Sequence, residues 1–218
     1  MDRRLENRGA EGLAAGAPEG GDTALRHSLA RAFARAGAAV LFAPGAGNLV
    51  RCALPADGTP HPLVVEVEGL PNLLHEFVHF VLRPPLAVDH GFDYGRIPFD
   101  TARTEQRRWL WEELACCVVS CAYLAARPER VEPWFAEQLG IQHHFYGYPG
   151  PAEFLPHVEA LVAAHGAELE AVVDEAYAAA AAHLAAAGAA DPAPPRRLDF
   201  APLFAELLAT GRRGSAPG

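Results

Sequence analysis

The chain contains no lysine: all 18 basic residues are arginine. That excludes a Schiff-base lysine and the lysine of a phosphate-binding P-loop. Together with abundant Ala, Gly and Pro, it reads as the codon bias of a GC-rich, bacterial genome. The basic residues are outnumbered by 27 Asp and Glu, giving a net charge of −9 with ten histidines neutral. An acidic chain is a poor binder of phosphate backbones, so no nucleic-acid partner is expected. There are only four cysteines (Cys52, Cys116, Cys117 and Cys121), and no two are spaced as C-x-x-C. A zinc ribbon and a thioredoxin-like motif are thereby excluded, and reduced core thiols are expected. No uncharged apolar run reaches the ~20 residues of a membrane span, so no membrane association is expected. The first eight residues carry arginines with no apolar segment behind them. No signal peptide is therefore expected, and the expected compartment is the cytoplasm.

What is present is 218 residues, half of them apolar and 21% charged, as in one folded domain with tails. Residues 1–21 are rich in Gly, Ala, Pro and charge without an apolar period, and read as a tail. Residues 22–210 read as the domain, and 211–218 as a second tail. Apolar positions at Leu25, Leu29, Ala32, Phe33 and Ala36 predict a helix ended by Gly37. Val40–Ala43 and Asn48–Leu54 predict short strands. The turn signal Pro55–Pro60 followed by the alternating Leu63–Glu68 predicts a hairpin of 48–54 with 63–68. Pro71 suits the first turn of a helix that Arg83-Pro84-Pro85 stops. A 17-residue loop, 84–100, follows. A buried helix then runs from Asp100 or Thr101 to about Ala126, and a short helix covers 129–139. His143–Pro149 reads as an aromatic loop, 152–187 as an Ala-rich helix or helical pair, 191–195 as a linker, and 200–208 as a last helix.

The chemistry concentrates in His75-Glu76-Phe77-Val78-His79, an H-E-x-x-H sequence on the helix after the strand. Residues four apart sit one turn apart on one helical face, so both imidazoles can reach one ion. Glu76 points from the next position around and can take a proton from a water without occupying the metal. Random placement of ten His and 18 Glu would produce this motif only ~0.04 times per chain. An open zinc site needs a third protein ligand. A histidine six positions after His79 would give the metzincin pattern, but Pro85 stands there. Glu112 and Glu113, in an otherwise apolar helix, are the alternative, because a carboxylate so placed is costly unless paired or bound to a cation. Asp89, His90 and Asp93 are further candidates. The bland alternative for Glu112 is an ion pair with Arg107, Arg108 or another arginine. For the histidines it is a partly exposed amphipathic helix.

The H-E-x-x-H helix followed by a glutamate on a second helix resembles the gluzincin zinc metallopeptidases. Glu112-Glu113-Leu114-Ala115 matches the E-x-x-A pattern of several branches, although Cys116 stands where some carry Asp or Asn. The resemblance covers about residues 71–116. It implies zinc (Zn2+) held by His75, His79 and Glu112, with Glu76 as general base. Glu113 remains an alternative ligand, since a one-residue slip turns a helix by about 100°. The expected fold is α+β: a mostly helical zincin-like domain with a short antiparallel sheet over the active-site helix. The expected function is zinc-dependent hydrolysis of a peptide bond in a peptide or protein substrate. The alternatives are an inactive metal-binding or regulatory module, or a non-haem metal enzyme using two His and one carboxylate. His144, Tyr146 and Tyr148 are candidate donors to a tetrahedral oxyanion. His157, His165 and His183 are expected to be solvated or packed.

Overall fold

A computed structural model describes residues 20–44, 49–51, 63–84 and 103–214. Within them the order is α1 (Gly20–Arg35), β1 (Ala38–Phe42), β2 (Leu49–Arg51), β3 (Leu63–Val67), α2 (Leu70–Leu82), α3 (Thr104–Tyr123), α4 (Pro128–Phe145), α5 (Pro151–Ala186) and α6 (Phe200–Gly214). The expectation of a mostly helical chain with a short sheet holds. Among the described residues no helix is long and apolar enough to cross a membrane.

The sheet departs from the all-antiparallel expectation. Its strand order is β1-β3-β2. The expected hairpin forms, with β2 antiparallel to β3 and Val50 opposite Val65. On the other edge β1 runs parallel to β3, from Ala38 opposite Leu63 to Phe42 opposite Val67. The reason is directional. The chain reverses into β2 and reverses again into β3, so β3 has recovered the heading of β1 and can meet it only in parallel. As the central strand, β3 buries Val64, Val65 and Val67, which cover both of its faces.

Gly69, in extended conformation, leads into α2, and Pro71 occupies its first turn. The helix is buried nearly all round because α1, α3, α5 and β3 all pack on it. Phe77 is fully buried, with ring centroids 5.9 Å from Phe33 and 6.3 Å from Phe80. From Leu110 onward α3 is buried at almost every position, as its composition predicts. Cys116, Cys117 and Cys121 lie there as free, buried thiols. Cys52 is outside the described residues.

The short helix expected at 129–139 extends to Phe145 and absorbs half of the expected aromatic loop. Gly140 does not break it, and the turn after it buries Gln142 and His143. The true stop is Gly147, at φ +72°. Tyr148 N–H donates to His143 O (2.9 Å) and Gly147 N–H to His144 O (3.5 Å), a left-handed cap that satisfies the last carbonyls. Helix α5 is one run bent at His165, where φ is −134° and ψ is 20°. Arg31 of α1 donates to the Ala187 carbonyl (2.7 Å) just past the end of α5, placing a cation at the negative end of that helix. The linker after it is strapped down by Tyr123 Oη donating to Pro192 O (2.8 Å) and Tyr177 Oη to Leu198 O (2.9 Å). Helix α6 runs beyond the predicted 208 to Gly214.

Helices α3 and α5 are joined by a two-pronged ion pair. Arg107 Nε lies 3.0 Å from Glu168 Oε2 and Arg107 Nη2 lies 2.9 Å from Oε1, while Trp111 Nε1 donates to Oε2 at 3.2 Å. The Arg107 hydrogen bonds hold the Glu168 carboxyl below its usual 4.5, against the opposing effect of burial and with help from Trp111. A lowered carboxylate stabilises the fold fully above its unfolded-state value and loses that contribution as pH falls through its folded value. Glu168→Gln should therefore lower Tm at pH 7, with a deficit that shrinks steadily once pH drops below 4.5. A pH-independent deficit in thermal melts would contradict this. In the core, Phe77→Ala should cost about 3–5 kcal/mol in urea unfolding, from lost apolar transfer plus the cavity left behind.

Candidate metal centre

Helix α2 brings the two imidazoles together as the four-residue spacing requires. His75 Nε2 and His79 Nε2 are 3.1 Å apart. Two nitrogens each about 2.0–2.1 Å from one tetrahedral ion would lie about 3.3 Å apart, so the rings are already set at nearly the separation of co-ligands. The His75 side chain is 6% exposed and that of His79 is 30% exposed, so the pair faces inward on one side and toward solvent on the other.

The third group comes from α3, and it is Glu113. Its Oε1 is 3.4 Å from His79 Nε2 and its Oε2 is 3.7 Å from His75 Nε2, one oxygen for each ring. Glu112, the ligand expected from the E-x-x-A pattern, is turned away. Arg83 Nε pairs with its Oε2, and Arg108 Nε donates to its Oε1 at 2.7 Å. One residue along a helix is a rotation of about 100°, enough to send neighbouring carboxylates to different helix faces. The arginine-pairing alternative for Glu112 is thus what the structure contains. Its effect is to clamp the C-terminal end of α2, where Arg83 sits, onto α3.

Cys116, one turn after Glu113, completes the cluster. Its Sγ and one ring nitrogen from each of His75 and His79 all lie within 4.8 Å of one another. This His-His-Cys group could by itself hold a metal ion. With Glu113 added, the donors are two imidazoles, a carboxylate and a thiol, a borderline-soft set suited to zinc. Residue Cys116 appeared in the sequence only as a missing outer-shell carboxylate, and its own donor capacity was not read there.

The electrostatics reflect this crowding. Burial would lower the His79 pKa, but Cys116 and Glu113 outweigh it and hold the imidazole well above its usual 6.5. Burial likewise works against ionised Glu113, and the charge and hydrogen bonds of His79 and His75 overcome it, keeping the carboxyl far below its usual range. Burial raises the Cys116 thiol to about 11 despite the nearby His79. The negative charge of Glu76, which is buried on α2 between the two histidines in sequence, contributes to that rise.

The other candidates disperse. Asp89, His90 and Asp93, and the loop that carries them, lie outside the described residues apart from Pro84. Of the aromatic trio, Tyr146 is buried and stacks on Phe154 with ring centroids 5.7 Å apart; burial and then the Glu113 charge push its phenol well above 10. Tyr148 packs on Phe154 and His157, with centroids 5.3 and 5.7 Å away, and His144 lies exposed against His143. His183 meets the Phe80 ring edge-on and His165 lies 3.5 Å from Glu168, both in packing roles. The residue with no counterpart in the sequence reading is Gln142 of α4, whose Nε2 donates to Glu113 Oε2 at 3.1 Å.

The chain matches no family model, no curated protein and no solved structure. The functional reading therefore rests on local geometry and on the motif.

The two glutamates should separate cleanly on substitution. Glu113→Gln should weaken zinc binding by more than about 100-fold, beyond the effect of outer-shell changes, in a competition titration against a chromophoric chelator. Glu112→Gln should leave zinc affinity nearly intact and cost about 1–3 kcal/mol of stability by weakening charged hydrogen bonds to Arg83 and Arg108. The reverse pattern would favour Glu112 as the ligand.

Proposed function

We propose that the protein is a zinc-dependent hydrolase of peptide bonds, with a zincin-like arrangement of its two site helices. His75, His79 and Glu113 are the metal ligands in this reading, and Glu76 is the general base. The observation that carries it is the Glu113 carboxylate spanning two imidazole nitrogens 3.1 Å apart, with Glu76 buried on α2 between the two histidines in sequence. A zinc ion held there supplies Lewis-acid chemistry, polarising a water and the carbonyl it attacks.

The chain's own residues do the rest. The apolar surroundings of α2 keep the three ligand groups close without competing water. Glu76 accepts the proton of the attacking water and passes it to the departing amine nitrogen, so one carboxylate serves as base and then as acid. The exposed side of His79 gives the substrate its approach. In this reading Tyr146, whose phenol burial keeps protonated, is the candidate hydrogen-bond donor to the reacting carbonyl.

Cys116 supports a second reading. Were its sulfur to join the two histidines and Glu113, four protein donors would close a tetrahedral site and leave no place for water, as in structural zinc centres. In that case the domain is a metal-stabilised module without turnover. Cobalt substitution discriminates, because a thiolate ligand gives an intense charge-transfer band in the near ultraviolet and a carboxylate does not.

Glu76→Gln should retain stoichiometric zinc while hydrolysis of a peptide library falls by about 10²–10⁴-fold. Chelation should abolish the wild-type activity and added zinc should restore it. Undiminished turnover by Glu76→Gln, measured by mass spectrometry of the cleaved library, would refute the assignment.

A further inference from the structure

We infer that Gln142 of α4 is the positioning residue that fixes the Glu113 carboxylate for metal binding. This rests on the reading of His75, His79 and Glu113 as ligands. Gln142 is 1% exposed, and its Nε2 donates to Glu113 Oε2 at 3.1 Å. That oxygen is the one that lies 3.7 Å from His75 Nε2. The amide hydrogen therefore occupies one lone pair of Oε2 and leaves the other free on the side of the imidazole.

Two features set this contact apart from ordinary core packing. First, a glutamine side chain buried at this depth is expected to satisfy both of its polar ends, yet Gln142 Oε1 has no hydrogen-bond partner among the described residues. Burying an unpaired carbonyl costs about 1–3 kcal/mol. An apolar residue would avoid that cost but would lose the donor to Glu113, so the contact to the carboxylate is what the amide at this position supplies. The Oε1 atom is bonded to the same carbon as the donating nitrogen.

Second, the contact joins a third helix to the centre. The imidazoles ride on α2 and the carboxylate on α3, and without a tie the Glu113 side chain keeps rotamer freedom about three bonds. A hydrogen bond from α4 removes that freedom before the metal arrives. Outer-shell partners of this kind typically change metal affinity by about 10–100-fold. Gly147, at φ +72°, ends α4 five residues later, and the Tyr148 N–H to His143 O bond caps the turn that carries Gln142. The donor is thus mounted on a terminated, rigid helix end.

The test uses the full chain, freed of metal by chelation and titrated with Zn2+ and Co2+. Gln142→Met keeps the length and removes the donor; Gln142→Leu is a second apolar replacement should the first fold poorly. Melting of the metal-free proteins reports structure separately from binding. The expected result is a 10–100-fold loss of zinc affinity in metal-free proteins that still melt cooperatively, together with a changed cobalt ligand-field spectrum. Gln142→Glu, which sets a second carboxylate against Glu113, should lose more affinity than either apolar variant. In 15N-labelled wild-type protein, the Gln142 side-chain amide should shift when metal is added. Wild-type affinity in both apolar variants, or an amide resonance that metal leaves in place, would overturn the inference alone. A wild-type protein that binds no metal, or that binds it equally well after His75→Ala, would instead overturn the ligand reading and the inference with it.

Discussion

Four titratable side chains are forced into an apolar helical core by the spacing of two histidines, and the rest of the site follows from how they satisfy one another. His75 and His79 share one face of α2 because they are four residues apart, and α2 is enclosed by three helices and a strand. The His75 ring is nearly closed off from water, and the His79 ring keeps one side toward it. Glu113 and Cys116, one turn apart on α3, face the same point. His79 and Glu113 favour one another's charged forms, with burial opposing both.

The surrounding ion pairs show the same economy of placement. Glu112, next in sequence to Glu113, holds Arg83 and Arg108 and so joins the end of α2 to α3. Arg107, one residue earlier still, reaches Glu168 on α5. Within one stretch of α3, Glu112 thus reaches the end of α2 while Arg107 and Arg108 reach α5. The absence of lysine suits this design, because a guanidinium can grip a carboxylate with two parallel donors and cannot lose its charge on partial burial.

Much of the site was legible in the sequence because its main signal is periodic. The H-E-x-x-H spacing on a helix that begins at Pro71 and ends before Arg83-Pro84 needed only the pitch of an α-helix. The buried second half of α3 followed from its composition. What could not be read was phase. From Leu110 onward α3 is apolar nearly all round, so no stripe marked which of two adjacent glutamates faced α2, and the E-x-x-A pattern favoured the wrong one. The parallel pairing of β1 was hidden for a related reason: alternation within a strand reports its faces, not its neighbour. The extension of α4 through His143 and His144 depended on Gly147 rather than Gly140 as the stop, and both glycines look alike until their φ angles are known. Gln142 was invisible because its role comes from a tertiary contact 29 residues away.

The division of labour between Glu112 and Glu113 also constrains how this gene can change length. Substitutions on the outer face of α3, such as at half-exposed Trp109, leave the register of the helix untouched. A single codon inserted between Arg108 and Glu112 would instead swing both carboxylates by about 100°, parting the clamp and turning Glu113 away from the two imidazoles in one event. Tolerance to insertion and deletion should therefore be lowest along this short stretch of α3 and should recover toward the C-terminal end of the chain, where α6 can gain or lose a turn without disturbing either carboxylate.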